Sequence, residues 1–278
     1  MINILCVIVL YKQVLYKTNS YIECLQYLHT NKDIGIFVYD NSPYPMHTPQ
    51  EMRKKGIIYK HDSKNSGISK AYNEAALYGK EKGYNWLLLL DQDTHFPNNS
   101  YLSIIKEHIN VYSHIKLFAP IVETKNKNQI SPFYSFHHFP YIRKTLGEKE
   151  YSTKKIGLIN SGLVINIDTF FKVGGYNEKI FLDLSDYFFI DKFKIYQEKF
   201  FLLDYKLTQE FSGEEKDIEK QKNRFYLYCK CAKEYSKTST INKIDFFLIT
   251  LKKTCGFIIR FKDLSFWNIF LNFYIKNE

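Results

Sequence analysis

Trp86-Leu87-Leu88-Leu89-Leu90-Asp91-Gln92-Asp93-Thr94 is the stretch from which the rest of the chain is read. Five consecutive bulky apolar residues suit a strand covered on both faces, so the run predicts an interior strand of a sheet flanked by helices. It ends directly in two carboxylates one residue apart. In open α/β sheets ligands bind beyond the carboxyl ends of the strands, so these aspartates stand where a ligand crevice is expected. Two carboxylates so spaced in a turn can approach one divalent cation and leave positions open for phosphate oxygens. The competing account is a solvated turn, and the triplet by itself is a weak signal.

Upstream, strand and helix patterns alternate. Ile4–Leu10 is a continuous apolar, β-branched run, followed by Tyr21, Cys24, Leu25 and Leu28 at helical spacings. Residues 34–39 form a second buried strand that ends at the turn signal Asp40-Asn41-Ser42-Pro43, and residues 57–59 form a short third strand. A helix is expected over 69–82, with Ala71, Tyr72, Ala75, Ala76 and Tyr78. This order predicts an α/β sandwich on a mostly parallel central sheet. Asp40 then falls at a strand terminus, as do Asp91 and Asp93, and one crevice can receive all three. Ahead of the helix, in Lys64-Asn65-Ser66-Gly67-Ile68-Ser69-Lys70, Gly67 allows close backbone approach to a ligand and Ser69 can cap. Lys64 and Lys70 would assist an anion there; a plain capped helix start explains the same residues equally well.

Downstream the order loosens. A helix over 101–112, a strand over 116–119, a long loop or lid over 123–151, a strand over 156–167, a helix over 183–196 and a short strand over 200–203 are expected. After Gly213 the composition turns to Lys/Glu and then to a Phe-, Ile- and Lys-rich tail, dividing the chain into 1–215 and a helical extension, 216–278. Asn160-Ser161-Gly162 and the paired Gly174-Gly175 precede an acidic helix start in which Asp183 and Asp186 share one face. One of these carboxylates can act as a general base, with helix capping as the alternative. In 244–273, Phe and Trp interleave with Lys252, Lys253, Arg260 and Lys262, which fits either an interfacial helix on an anionic membrane or a cap packed on the sheet domain.

The 278 residues carry a formal net charge of +10 and are 45% hydrophobic, enough for a sizeable core. The positive balance suits an anionic partner, or only solvated surface lysine. The charge is scattered, and carboxylates gather at strand ends where they would repel phosphate without a metal, so no nucleic-acid partner is expected. The five cysteines form no framework and read as reduced thiols. The N-terminus reads as a strand rather than a signal peptide, and no apolar run reaches the roughly 18 residues of a membrane span. A cytoplasmic protein, peripheral at the inner face of the membrane, is the expectation. His137 and His138, adjacent in a loop, are expected to point apart and to hold no metal. Dinucleotide and P-loop glycine patterns are absent, as is the glycine-rich N-terminal loop of sugar-phosphate nucleotidyltransferases.

Taken in order, six pieces resemble family 2 glycosyltransferases. They are Val9-Leu10-Tyr11, Val38-Tyr39-Asp40-Asn41-Ser42, Asn65-x-Gly67-x3-Ala71-x-Asn73, Leu90 to Thr94, Asn160-Ser161-Gly162, and Gly174-Gly175-Tyr176-Asn177-Glu178 with Phe181, Asp183 and Asp186. They look most like the rhamnosyltransferase-like branch of bacterial O-antigen and capsule synthesis, over residues 3–215. The resemblance implies a GT-A fold, a dTDP-rhamnose or UDP-hexose donor, Mn2+ or Mg2+, a lipid-linked saccharide acceptor and inversion by direct displacement. Carried over, Asp40 contacts the base, Asp91 the ribose or the metal, Asp93 the metal beneath the diphosphate, and Asp186 is the catalytic base with Asp183 as competitor. Tyr11, Asn41, Lys64, Asn65, Gly67, Asn73 and Gln92 would line the donor cleft. Two departures stand out: Ser185-Asp186 where the family often has Glu-Asp, and Gln209-Glu210-Phe211-Ser212-Gly213 where it often has a histidine before a glycine.

Overall fold

The computed structural model describes residues 2–28, 33–141, 146–210 and 216–276. The chain opens with β1 (Ile4–Leu10), α1 (Asn19–Leu28), β2 (Ile34–Asp40), α2 (Pro49–Lys54), β3 (Ile57–His61), α3 (Ile68–Glu81) and β4 (Trp86–Asp91). It continues with α4 (Tyr101–Val111), β5 (Leu117–Thr124), β6 (Gln129–Ser131), β7 (Phe133–Phe136), β8 (Phe139–Tyr141), β9 (Lys149–Ser152), β10 (Ile156–Gly157) and β11 (Val164–Asn166). Then follow α5 (Ile167–Val173), α6 (Ser185–Tyr196), β12 (Lys199–Gln209), α7 (Ile218–Ser236), α8 (Thr240–Phe261) and α9 (Ser265–Ile269).

The main sheet runs β3-β2-β1-β4-β11-β5-β12-β9, with β6 on β5. β3, β2, β1 and β4 are parallel, β11 is reversed between β4 and β5, and β12 is parallel to β5. The expected α/β class with a mostly parallel sheet is therefore the observed one. Register levels the strand ends: Val9 lies opposite both Tyr39 and Asp91, and Asp40 opposite both Leu10 and His61. Four strands thus deliver their last residues to one rim.

Side chains alternate across the strands, so each strand feeds two cores. Ile4, Cys6 and Ile8 join Tyr21 of α1 and Leu102 and Ile105 of α4 on one face. Leu5, Val7 and Val9 join Ala71 and Tyr72 of α3, Phe170 of α5, and Phe189 and Phe193 of α6 on the other. A third cluster builds the helical extension: Phe225, Tyr235, Phe246, Phe257 and Phe266 pack around Ile180, with Phe181, Leu182 and Leu184 at its margin. Among the described residues no helix is long and apolar enough to cross a membrane.

Three expectations change. Residues 123–151 are not an open loop; β7, β8 and β10 form a small antiparallel sheet, hereafter the flap, and β9 edges the main sheet. Its Tyr- and Phe-rich, half-exposed strands hide the two-residue period among polar residues. β12 extends well beyond 200–203 to Gln209, because Tyr205 and Leu207 continue inward while Asp204 and Lys206 stay exposed. Residues 156–167 hold two short strands, β10 and β11, separated by the Asn160-Ser161-Gly162 turn rather than one continuous strand.

Candidate active site

The acidic pair is braced from three directions. Asp91 Oδ2 accepts hydrogen bonds from Ser161 Oγ at 2.7 Å and from Gln209 Nε2 at 2.7 Å. The Asp91 backbone exchanges bonds with Thr94 and accepts one from Ser20 Oγ. Gln92 turns back to accept from the Tyr11 backbone N–H at 2.9 Å, joining the ends of β1 and β4. Asp93 has its carboxyl pushed up to about 7 by burial, then by the neighbouring charges of Asp91 and Glu210. Gln209 Oε1 is buried and without a hydrogen-bond partner.

A carboxyl crowded by other acids, on a rim that also holds an orphaned amide oxygen, suits a hard dication such as Mg2+ or Mn2+, which takes oxygen ligands. The fit is partial in one respect: among the described residues no group of three or more His, Cys, Asp or Glu is arranged to hold an ion. Asp91, Asp93 and the Gln209 carbonyl would have to be supplemented by ligand oxygens.

The rest of the rim divides into exposed and internally committed residues. Tyr11 is 43% exposed, with the Lys12 ammonium 5.1 Å from the centre of its ring. Lys64 and Asn65 are also exposed. Asn41 is buried, and its Oδ1 lacks a partner. Asp40, expected at the base of a nucleotide, is fully buried. Its carboxylate accepts from Ser42 N at 2.9 Å, Met46 N at 2.9 Å and Tyr59 OH at 2.5 Å. Here it ties down the loop after β2 and presents no free edge. Asp62 does the same for the loop after β3: against the effect of burial, bonds from Ser66, Lys64 and Tyr39 hold its carboxyl at about 2.

Gly67 and Asn73 are also spent internally. A Cβ on Gly67 would lie 2.2 Å from the Phe181 carbonyl oxygen, which accepts from Ile68 N at 2.8 Å. The N-terminus of α3 is capped by protein carbonyl rather than left open for an anion, and Ser69, expected as the cap, donates from within the helix to Ile180 O at 2.6 Å. Asn73 donates to Tyr176 O and Glu178 Oε1, both at 3.0 Å, and accepts from Tyr176 N at 2.9 Å. Both residues therefore hold the 174–181 segment against α3, fixing the approach to α6.

That segment presents the second carboxylate. Asp183 Oδ1 accepts from Arg224 Nη2 of α7 at 2.8 Å, so Asp183 is engaged in an ion pair with the extension. Asp186, in the first turn of α6, accepts the Tyr187 backbone N–H at 2.8 Å. Burial, and then the charges of Asp183 and Asp91, push its carboxyl up to about 7. Just before it Leu184 sits at φ 65°, a conformation uncommon outside glycine. Asp186 and Asp91 are linked through short contacts: Ser161 holds Asp91, while its neighbour Asn160 accepts from Tyr176 OH at 2.6 Å and donates to Ser185 at 3.3 Å.

Ser161, Asn160, Tyr176 and Gln209 thus brace the site although residue type alone did not single them out as site residues. The Asn160-Ser161-Gly162 turn was the available signal, and Gln209 lay in the stretch that departs from the family pattern. Phe211, Ser212 and Gly213 of that stretch lie outside the described residues. His137 and His138 do not point apart: left-handed backbone at both brings each to Asp245, at 3.4 and 2.9 Å, and His138 Nε2 also meets Asp191 at 2.8 Å.

The family model described as glycosyl transferase family 2 matches residues 18–201. Among curated proteins no sequence matches the chain. Solved structures with a similar fold include S. aureus TarS, with a TM-score of 0.52 at 14% identity over 82% of this chain and 39% of that one. GalNAc-T7 with UDP, GalNAc and Mn2+ gives 0.57 at 13% identity over 81% and 47%, and S. aureus TarS 1–349 in complex with UDP gives 0.51 at 14% over 83% and 65%. The chain spans less than two thirds of each of these structures, and at such identities they speak to the fold alone. With two thirds of its length matched by the family model, the chain belongs to glycosyl transferase family 2.

Proposed function

We propose that the protein is an inverting glycosyltransferase that moves a hexose or deoxyhexose from a nucleotide-diphosphate sugar, dTDP-rhamnose or a UDP-hexose, to a hydroxyl of a lipid-linked saccharide. On this reading residues 1–215 carry the chemistry, residues 216–278 complete the acceptor side, and the product is a bacterial surface polysaccharide such as O-antigen or capsule, made at the inner face of the membrane. The observation that carries the reading is the place of Asp186 in the first turn of α6, where Ser185 bonds Asn160 and the adjoining Ser161 bonds Asp91, and where burial raises the Asp186 carboxyl to about 7.

In this mechanism Tyr11 offers its exposed ring to the nucleotide base, with Asn41, Lys64, Asn65 and Gln92 along the donor. Asp40, Gly67 and Asn73 shape the loops around it. Asp91 and Asp93 would hold a divalent cation, Mn2+ or Mg2+, which when bound would offset charge gathering on the departing nucleoside diphosphate. Asp186 takes the proton from the acceptor hydroxyl as that oxygen attacks the anomeric carbon from the face opposite the leaving group. A carboxylate poised near neutrality is suited to that transfer, while Asp183 orients the segment through Arg224.

The test is nucleotide release from a panel of dTDP-rhamnose, UDP-glucose and UDP-galactose, with Mn2+ and with EDTA. Release from at least one donor, lost in EDTA and in Asp93→Ala, is expected. Full activity in EDTA or in Asp93→Ala sinks the metal assignment, and no release or transfer from any donor sinks the function.

A further inference from the structure

We infer that Tyr72 is a positioning residue for Asp91: its hydroxyl donates a hydrogen bond to the Asp91 carboxylate when that carboxylate holds a divalent cation. The inference rests on the cation reading of Asp91 and Asp93 given above.

Tyr72 lies in α3 and is completely buried, in a cluster with Ala71, Ala75, Ala76 and Leu89. Phenylalanine would fill that place with no hydroxyl to strip of water. Tyr39, Tyr101 and Tyr235 are just as buried, and each has a partner. Their hydroxyls donate to Asp62 at 3.0 Å, to the Gly162 carbonyl at 2.5 Å and to Asp191. The Tyr72 hydroxyl is buried too, and no group meets it in hydrogen-bonding geometry. A buried donor left unmet costs stability, whereas an apolar group of the same shape can be neutral or stabilising there. Such a group calls for a partner supplied in another state of the site.

Its surroundings identify that partner. After burial itself, the groups acting on the phenol are Asp91, then Tyr176 and Asp186, and together they push its pKa well above the ordinary 10. It is therefore a donor at any working pH. Asp91 is near enough to act on it as an acceptor, although the geometry of a bond is not met. A second route leads to the same carboxylate. The Tyr176 ring centre lies 5.1 Å from that of Tyr72, and Tyr176 OH donates to Asn160 at 2.6 Å. The adjoining Ser161 donates to Asp91 Oδ2 at 2.7 Å.

What can turn is the carboxylate. The Tyr72 ring is fixed by packing, while rotation about the Cβ–Cγ bond of an aspartate is soft. Ser161 and Gln209 both donate to Oδ2, which leaves Oδ1 to other partners. Engagement with a cation reorients the two oxygens, and a donor on the α3 side then fixes the new orientation. Donors to ligating groups set the geometry of a metal site, and losing one typically costs about 10–100-fold in affinity.

The experiment follows Tm for the wild type, Tyr72→Phe and Tyr176→Phe, first in EDTA, then with Mn2+ titrated at a fixed, saturating concentration of UDP or of dTDP. The Mn2+ concentration at half of the rise in Tm reports affinity without turnover. Tyr72→Phe is expected to melt with the wild type or above it in EDTA, and to need about tenfold more Mn2+. Tyr176→Phe loses a bond already made and is expected to melt below both in EDTA. A Tyr72→Phe chain that melts below the wild type in EDTA overturns the inference, because the hydroxyl then has a standing partner. An unchanged Mn2+ requirement in Tyr72→Phe overturns it as well and leaves the cation reading intact. No Mn2+-dependent rise in the wild type with either nucleotide sinks the cation reading, and the inference with it.

Discussion

As the proposed catalytic base, Asp186 meets two opposed demands. It has to be ionised to accept a proton, yet it sits where burial and two other carboxylates disfavour ionisation. A carboxyl whose folded pKa is raised from 3.8 to about 7 contributes its full stability below 3.8, and that contribution is lost as pH rises through 7. Each unit of the shift corresponds to about 1.4 kcal/mol. Asp186→Asn keeps the shape and removes the charge. It should therefore lose turnover by roughly two to four orders of magnitude while retaining donor binding. It should also melt several degrees above the wild type at pH 8, and level with it near pH 4. The wild type's kcat should fall on the acid side of pH 7. Calorimetry at the two pH values with a pH–rate profile checks both, and a variant that melts lower than the wild type at pH 8 would show that the charge is compensated. If Asp183→Asn carries the kinetic defect instead, the base is Asp183 and the Arg224 pair has another purpose.

Among elements, the flap depends on one histidine. His138 joins β7–β8 to α6 through Asp191 and to α8 through Asp245, while Tyr235 of α7 also bonds Asp191, Lys194 pairs with it at 2.6 Å, and His137 approaches Asp245. Phe133 at the start of the flap stacks on Tyr187, next to Asp186, with ring centres 5.1 Å apart. Burial alone would lower the His138 pKa, but the hydrogen bonds and charges of Asp191 and Asp245 carry it upward overall. Asp191, against its own burial, is held at about 2 by His138, Lys194 and Tyr235. Signs follow for each partner. The His138 contribution is complete below its ordinary value near 6.5 and is lost as pH rises through its higher folded value; the Asp191 contribution is complete above 3.8 and is lost as pH falls toward 2. The clasp is therefore strongest in mildly acidic solution. His138→Gln should lower Tm at pH 6 by more than at pH 9 and speed proteolysis of the flap at pH 6; an equal penalty at both pH values would mean that the imidazole is not charged in the fold. None of this was legible from two adjacent histidines, because the partners lie 53 and 107 residues away. The parallel strands and their terminal carboxylates were legible, since unbroken apolar runs ending in Asp report both burial and position within a few residues. Gln209 was not, because its partner Asp91 is 118 positions distant. The bracing by Asn73 and Gly67 was not legible for a different reason: an amide and a bare Cα suit a contact to neighbouring backbone as well as a ligand.

At the scale of the whole molecule the tail packs as a cap through the inner side of α8. The inner side is structural. Phe246, Phe257, Phe266, Phe270 and Tyr274 are buried with Phe225 and Tyr235 of α7, and Ile180 of the catalytic half lies in the same cluster. Burying one such aromatic side chain is worth about 1.5–3 kcal/mol, so removing five would strip much of the support from α7. The loss would not stop there, since Arg224 of α7 pairs with Asp183 and Tyr235 with Asp191, both beside the base helix. Deleting residues 244–278 is therefore expected to give an insoluble chain, or one melting at least several degrees lower, with Asp183 left beside a loosened α7. Expression of the truncated chain, followed by thermal unfolding and nucleotide release, checks the prediction. A soluble 1–243 chain with wild-type Tm would mean that the third cluster contributes nothing to the fold.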